Sequence, residues 1–210
     1  MSLQQTFKRM PLIAILRGVE PRDAGATGEA LLQAGFRLIE VPLNSPDPLR
    51  SIAILADQAR DGALIGAGTV RTDTEVASVA AHGGAFIVMP HADENVIRSA
   101  RARGLGVIPG AATPTEGFAA IDAGADALKL FPAEAITPKI VRAWRSVFPP
   151  DVALIPVGGI NEENIPFYIQ AGANGVGLGS SLYKPGDDTA KVSARAWAFV
   201  SCWQDNTRRS

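Results

Sequence analysis

At 210 residues, with 20 basic and 21 acidic side chains, the chain is long enough for one sizeable core and offers no basic field to attract nucleic acid. No apolar run approaches the roughly 18–20 residues of a membrane span, and the opening MSLQQTFKRMP lacks the apolar centre of a secretory signal. The single Cys202 excludes an internal disulfide and fits a reducing cytoplasm, and two histidines leave little soft-ligand material for a metal.

A short helix is expected over about residues 1–9, ahead of one compact domain over about 10–205. The first β-like run is LIAILRG (12–18), and LIEVPLN (38–44) follows a glycine helix exit in QAGF. Ser45-Pro46 reads as an N-cap with proline at the first helical position, before the third run, LIGAGTV (64–70). Thr72 and Glu75 have capping-box spacing, and the helix they open ends at HGGA before AFIVMP (85–90). GVIPGAA (106–112) is the fifth run, followed by a second capping box, Thr113 with Glu116. ALKLFPA (127–133) is the sixth, and Thr137-Pro138 opens the next helix. ALIPVGGI (153–160) is the seventh; Asn161, with Glu162 and Glu163, reads as a capped helix start where the macrodipole favours acids. GVGLGSS (175–181) is the eighth, and Trp197, Val200 and Trp203 read as a core-facing stripe on the last helix.

These strands are nearly continuously apolar, as parallel strands covered on both faces are. Eight of them alternating with helices predict an α/β protein with a (β/α)8 TIM-barrel fold in a single domain spanning 1–210. A doubly wound open sheet is disfavoured by the short connections and by the lack of G-x-G-x-x-G after the first strand.

In such a barrel, alternate side chains face the lumen and the reactive face lies at the C-terminal strand ends. One parity gives Ile13, Ile15 and Arg17 on the first strand, and Leu38, Glu40, Pro42 and Asn44 on the second. The same count gives Ile65, Ala67 and Thr69 on the third, and Ala127, Lys129 and Phe131 on the sixth. Arg17, Glu40, Thr69 and Lys129 are then expected to converge on one cavity. A buried Glu40–Lys129 ion pair would satisfy both charges without any chemistry. The functional alternative is that a partly desolvated Lys129, its pKa lowered, serves as a Schiff-base nucleophile while Glu40 moves protons.

VGGI (157–160) and GLGSS (177–181) fall after the seventh and eighth strands, where barrels hold phosphate on backbone N–H groups. Gly158, Gly159, Gly179 and Ser180 are the phosphate candidates. PHADEN (90–95) offers His91, Asp93 and Glu94, but the spacing fits a loop and helix start equally well, so no metal is expected.

The segments AILRG, IEVPLN, GAGTV, MP at 89–90, LKLFPAE, VGGI and GLGSSL together resemble the class I pyruvate aldolases acting on 2-keto-3-deoxy-6-phospho sugar acids. The resemblance runs from about residue 10 to 205. It implies Lys129 as the Schiff-base lysine and Glu40 as general acid/base. Arg17 and Thr69 would hold the pyruvate carboxylate, Pro90 and Phe131 would shape the pocket, and the glycine loops with Ser180 would hold the phosphate. It also implies a homotrimer with no metal or organic cofactor. EVPLNS, and Val157 before the glycine pair, resemble the family's galactonate branch rather than its gluconate branch. A valine leaves dry a position where a threonine hydroxyl would bond one epimer. The expected reaction is cleavage of the galactonate acid to pyruvate and glyceraldehyde 3-phosphate. The gluconate epimer, or a phosphate-binding barrel without Schiff-base chemistry, is the alternative.

Overall fold

The structure, a computed structural model, describes residues 1–208. Helix α1 (Leu3–Arg9) precedes β1 (Leu12–Ile15), α2 (Pro21–Ala34), β2 (Leu38–Pro42), α3 (Pro48–Gln58) and β3 (Leu64–Gly68). Then come α4 (Asp73–Ala81), β4 (Phe86–Val88), α5 (Glu94–Ala102), β5 (Gly106–Ile108), β6 (Gly110–Ala111) and α6 (Pro114–Asp122). The chain ends through β7 (Ala127–Leu130), α7 (Pro138–Arg145), β8 (Ala153–Pro156), α8 (Ile165–Gln170), β9 (Val176–Leu178) and α9 (Thr189–Thr207).

The class is α/β with parallel strands, as expected. Six strands pair in the order β5-β4-β3-β2-β1-β9, and three more pair as β6-β7-β8. The fifth predicted run is divided at Pro109, which has no N–H to give to a ladder. Before it, Ile108 pairs with Val88; after it, Gly110 pairs with Lys129. One parallel bridge, Val157 to Gly177, joins the end of β8 to β9.

Both capping boxes form, at Thr72–Glu75 and Thr113–Glu116, and Thr137 precedes a proline-started α7. Two expected starts move. Asp47, not Ser45, precedes α3, because the Ser45 hydroxyl is occupied accepting a 2.9 Å bond from the Gly18 N–H. α8 opens at Asn164, because Asn161 and Asn164 bond reciprocally, each amide oxygen taking the other's backbone N–H at 3.0 Å. On α9, Val200 and Trp203 are buried as expected but Trp197 is 55 % exposed, so it lies outside the core stripe.

The buried side chains divide into two clusters. The larger lies between strands and helices and includes Leu12, Ala14, Leu16, Ile39, Val41, Ile65 and Ala67. The smaller fills the space enclosed by the strands: Ile13, Ile15, Leu38, Phe86, Val88, Ile108, Ala127, Ile155 and Val157, with Leu3 and Phe7 of α1. This split fixes which parity faces inward. Strands β1, β2 and β7 follow the expected parity, and β3 does not. Ile65 and Ala67 belong to the helix-facing layer, while Leu64 packs on the inner cluster. The inward positions of β3 are therefore Leu64, Gly66 and Gly68, and two of the three have no side chain to betray them in sequence.

Candidate active site

Continuing each inner row of apolar residues towards the C-terminal strand ends leads to the charged groups. Leu38 leads to Glu40, Ala127 to Lys129, and Ile15 to Arg17. Register holds Glu40 beside Ile15 and Gly66, and Lys129 beside Gly110 and Ile155. Glu40 and Lys129 are 2 % and 7 % exposed, two of the few buried polar residues of the chain.

They make no ion pair within 4.0 Å of each other among the described residues, and Glu40 Oε2 is buried without any hydrogen-bond partner. The purely structural reading, a closed Glu40–Lys129 pair, is thus not what the geometry contains. Burial instead dominates both groups. It pushes the Glu40 carboxyl up to about 7, against the opposing pull of Lys129 and then Arg17. It holds the Lys129 ammonium below its ordinary value, with Glu40 opposing and Arg17 adding to the effect. The Lys129 Nζ lies 4.5 Å from the centroid of the Phe131 ring.

Gly68 makes room for the carboxylate. A Cβ at that position would stand 2.5 Å from Glu40 Oε1 and 3.3 Å from the Pro42 Cα. The following residue, Thr69, has φ 60, so its backbone leaves the strand alternation. It directly follows the last residue of β3, next to Gly68. Pro90 lies two residues beyond β4, with its carbonyl against Gly110, the register partner of Lys129. The exposed Arg17 donates from Nη1 to Asn44 Oδ1 at 2.8 Å, a pairing that sequence reading missed.

A cavity of about 470 Å³ opens at this end. Seven of the anticipated site residues line it: Arg17, Phe131, Val157, Gly158, Gly159, Gly179 and Ser180. Gly158 and Gly159 have φ 111 and 63, where side-chain-bearing residues are strained. Among the described residues, no hydrogen bond is seen from the backbone N–H groups of Gly159 and Ser180, leaving donors for an anion, while the Val157–Gly177 bridge engages the Gly158 N–H. Val157 is buried in the same inner cluster as Ile15, and the missing side chain of Gly177 leaves room for it.

Glu134, Asn161, Ser181 and Lys184 also line the cavity and were not anticipated. Lys184 had a readable signal, a cation shortly after the eighth strand. Glu134 stood in plain view in LKLFPAE. Away from the site, Asp93 caps α5 by accepting from Asn95 and Val96 at 2.9 and 3.1 Å, and Glu94 pairs with Arg98 at 2.8 Å. A second cavity, of about 380 Å³, lies at the opposite strand ends around Phe7, Ala127 and Ala153, far from the charged groups.

The family model described as KDPG and KHG aldolase matches residues 3–195. The chain is 45% identical over 197 residues to 2-dehydro-3-deoxy-6-phosphogalactonate aldolase of Escherichia coli strain K12, covering 94% of this chain and 96% of that protein. It is 47% identical over 193 residues to a probable 2-dehydro-3-deoxy-6-phosphogalactonate aldolase of Rhizobium meliloti strain 1021, covering 92% and 91%. Among solved structures, one described as "Native KDPGal structure" superposes with a TM-score of 0.93 at 44% identity, covering 95% of this chain and 97% of that one.

Proposed function

The chain belongs to the KDPG and KHG aldolase family, and from that premise we propose that it cleaves 2-dehydro-3-deoxy-6-phosphogalactonate to pyruvate and glyceraldehyde 3-phosphate through a Schiff base on Lys129. The observation that carries the mechanism is the state of the two buried groups. Lys129 and Glu40 are both shifted by burial towards their neutral forms and are not locked in an ion pair.

A neutral Lys129 amine adds to the C2 ketone, and loss of water leaves an iminium. The Glu40 carboxylate takes the proton of the C4 hydroxyl. The C3–C4 bond then breaks, its electron pair passing into the iminium to give an enamine, and glyceraldehyde 3-phosphate departs. Glu40 returns the proton to C3, and water releases pyruvate from Lys129. A carboxyl with a pKa of about 7 is suited to both transfers near neutral pH.

On this reading Arg17 and Thr69 engage the substrate carboxylate, and Pro90 and Phe131 border the reacting carbons. The N–H groups of Gly159 and Ser180, with Gly158 and Gly179 beside them, hold the phosphate, and Lys184 adds positive charge there. The same reading treats 1–210 as a single domain and takes β5 with β6 as one strand of a closed (β/α)8 barrel, supported by the Pro109 junction and the Val157–Gly177 bridge. It also takes the protein as a homotrimer of galactonate degradation without a cofactor, on family resemblance, and as cytoplasmic, on its single cysteine.

Borohydride reduction in the presence of pyruvate, followed by peptide mass spectrometry, tests the reading. The expected product is a reduced pyruvate adduct on Lys129. Bound pyruvate without an adduct would exclude the Schiff base. Steady-state kinetics on both epimers tests the substrate assignment, which a preference for the gluconate acid would overturn.

A further inference from the structure

Glu134 is the one acidic side chain among the residues lining the 470 Å³ cavity, and the mechanism above gives it no part. It makes no hydrogen bond or ion pair among the described residues. Its side chain lies over the glycine pair: a Cβ on Gly159 would stand 3.1 Å from Glu134 Cγ and 3.2 Å from Oε1. Its loop is held from both sides. The Ala133 N–H donates to the Val157 carbonyl at 2.9 Å, and the buried Tyr168 hydroxyl donates to the Ala133 carbonyl at 2.9 Å.

The Glu134 carboxylate is exposed, and beside phosphate-binding amides it is an electrostatic liability unless it has a donor to receive. A phosphate dianion supplies none, since all its terminal oxygens accept. Arg17 and Lys184, the two cations of the same cavity, offset the charge but leave the acceptor unused. Between the cleaved bond and the phosphate, the proposed substrate carries two hydroxyls. The C4 hydroxyl gives its proton to Glu40. The C5 hydroxyl, next to the phosphate-bearing carbon, has no partner yet.

We infer that Glu134 accepts a hydrogen bond from this C5 hydroxyl and so makes the enzyme select a hydroxylated aldehyde phosphate as the partner of pyruvate. The inference rests on the proposed aldolase reading. It adds a specificity contact on the half of the substrate that leaves as aldehyde. A hydrogen bond to an ionised acceptor corresponds to about 10–100-fold in discrimination.

The test runs the reaction in the direction of carbon–carbon bond formation, with pyruvate and either glyceraldehyde 3-phosphate or 3-phosphooxypropanal, which lacks the hydroxyl. Wild-type enzyme is expected to favour the hydroxylated aldehyde about 10–100-fold in kcat/KM. Glu134→Ala should bring that ratio to within about threefold by losing rate on the hydroxylated aldehyde alone. Its pyruvate adduct on Lys129 should form as in wild type. Glu134→Gln, which keeps an acceptor oxygen, should retain a ratio between the two.

No preference in the wild type would overturn the inference, and that measurement needs no variant to fold. An equal change on both aldehydes in Glu134→Ala would also overturn it, showing a charge acting on the phosphate only. Absence of the pyruvate adduct in the wild type would instead remove the aldolase reading itself.

Discussion

The two ends of the strand-enclosed interior are made from the same strands and treat them in opposite ways. At the N-terminal end, α1 lays Leu3 and Phe7 over the opening, in one apolar cluster with Ile13, Leu38, Phe86, Ile108 and Ala127 beside the cavity of about 380 Å³. At the C-terminal end the same rows run into Glu40 and Lys129, and the closing surface is made of glycine-bearing loops. One end therefore gains stability by excluding water from apolar surface. The other leaves a buried carboxylate oxygen without a partner and two groups displaced from their ordinary charge states. Within one interior, apolar packing and buried charge are separated by about the length of a strand.

The sharpest break of that comparison is at Lys129. Lys129→Ala should abolish the borohydride-trapped adduct and lower kcat at least about 10⁴-fold. Because it deletes a desolvated amine, the melting temperature should hold or rise rather than fall. Circular dichroism melts beside turnover assays would show this; a parallel loss of folding would mean that the lysine is structural.

Next comes Glu40→Gln, expected to cost about 10²–10⁴ in kcat. In the wild type, kcat/KM should fall as pH drops below about 7, because the required carboxylate becomes protonated. The Gln variant should lack that limb. Stability has the opposite sign. The folded carboxyl binds its proton more tightly than the unfolded one at 4.5, so its contribution is complete below about pH 4.5 and is lost as pH rises through about 7. The loss is about 3 kcal/mol, and denaturant titrations should show it in the wild type and not in Glu40→Gln.

At the apolar end, Phe7→Ala should cost about 3–5 kcal/mol of stability with kcat changed less than about twofold. A large fall in kcat in a folded Phe7→Ala enzyme would mean that the two ends are coupled. The smallest effect is expected at the inner wall of the cavity. Val157→Thr places a hydroxyl where the surface is now dry and should shift the epimer ratio in kcat/KM about tenfold towards the gluconate acid. An unchanged ratio would locate the selection elsewhere.

Much of this separation was legible in the chain. A lysine between Leu128 and Leu130, and a glutamate between Ile39 and Val41, stand out because burying charge is costly and the neighbours promise burial. Capping boxes at Thr72 and Thr113 are local, so they formed as read. Ser45 misled because its hydroxyl found a nonlocal donor, Gly18, which no capping rule sees. β3 misled because both of its faces are covered, so an apolar run carries no mark of which parity turns inward. Its lumen face is set by space: Gly66 yields to Phe86, and Gly68 to Glu40.

By itself, then, the sequence determined the alternation of strands and helices, the end of the strands at which charge is buried, and the two charged residues buried there. These follow from periodicity, local capping and the rarity of charge within apolar runs, all of which are properties of neighbours along the chain. Only the tertiary structure decided that Glu40 and Lys129 stay unpaired, that Asn44 takes the Arg17 guanidinium, and that Glu134 overhangs the glycine pair. Those outcomes depend on distances between residues far apart in the chain, and such distances are fixed by how the strands curl and pack.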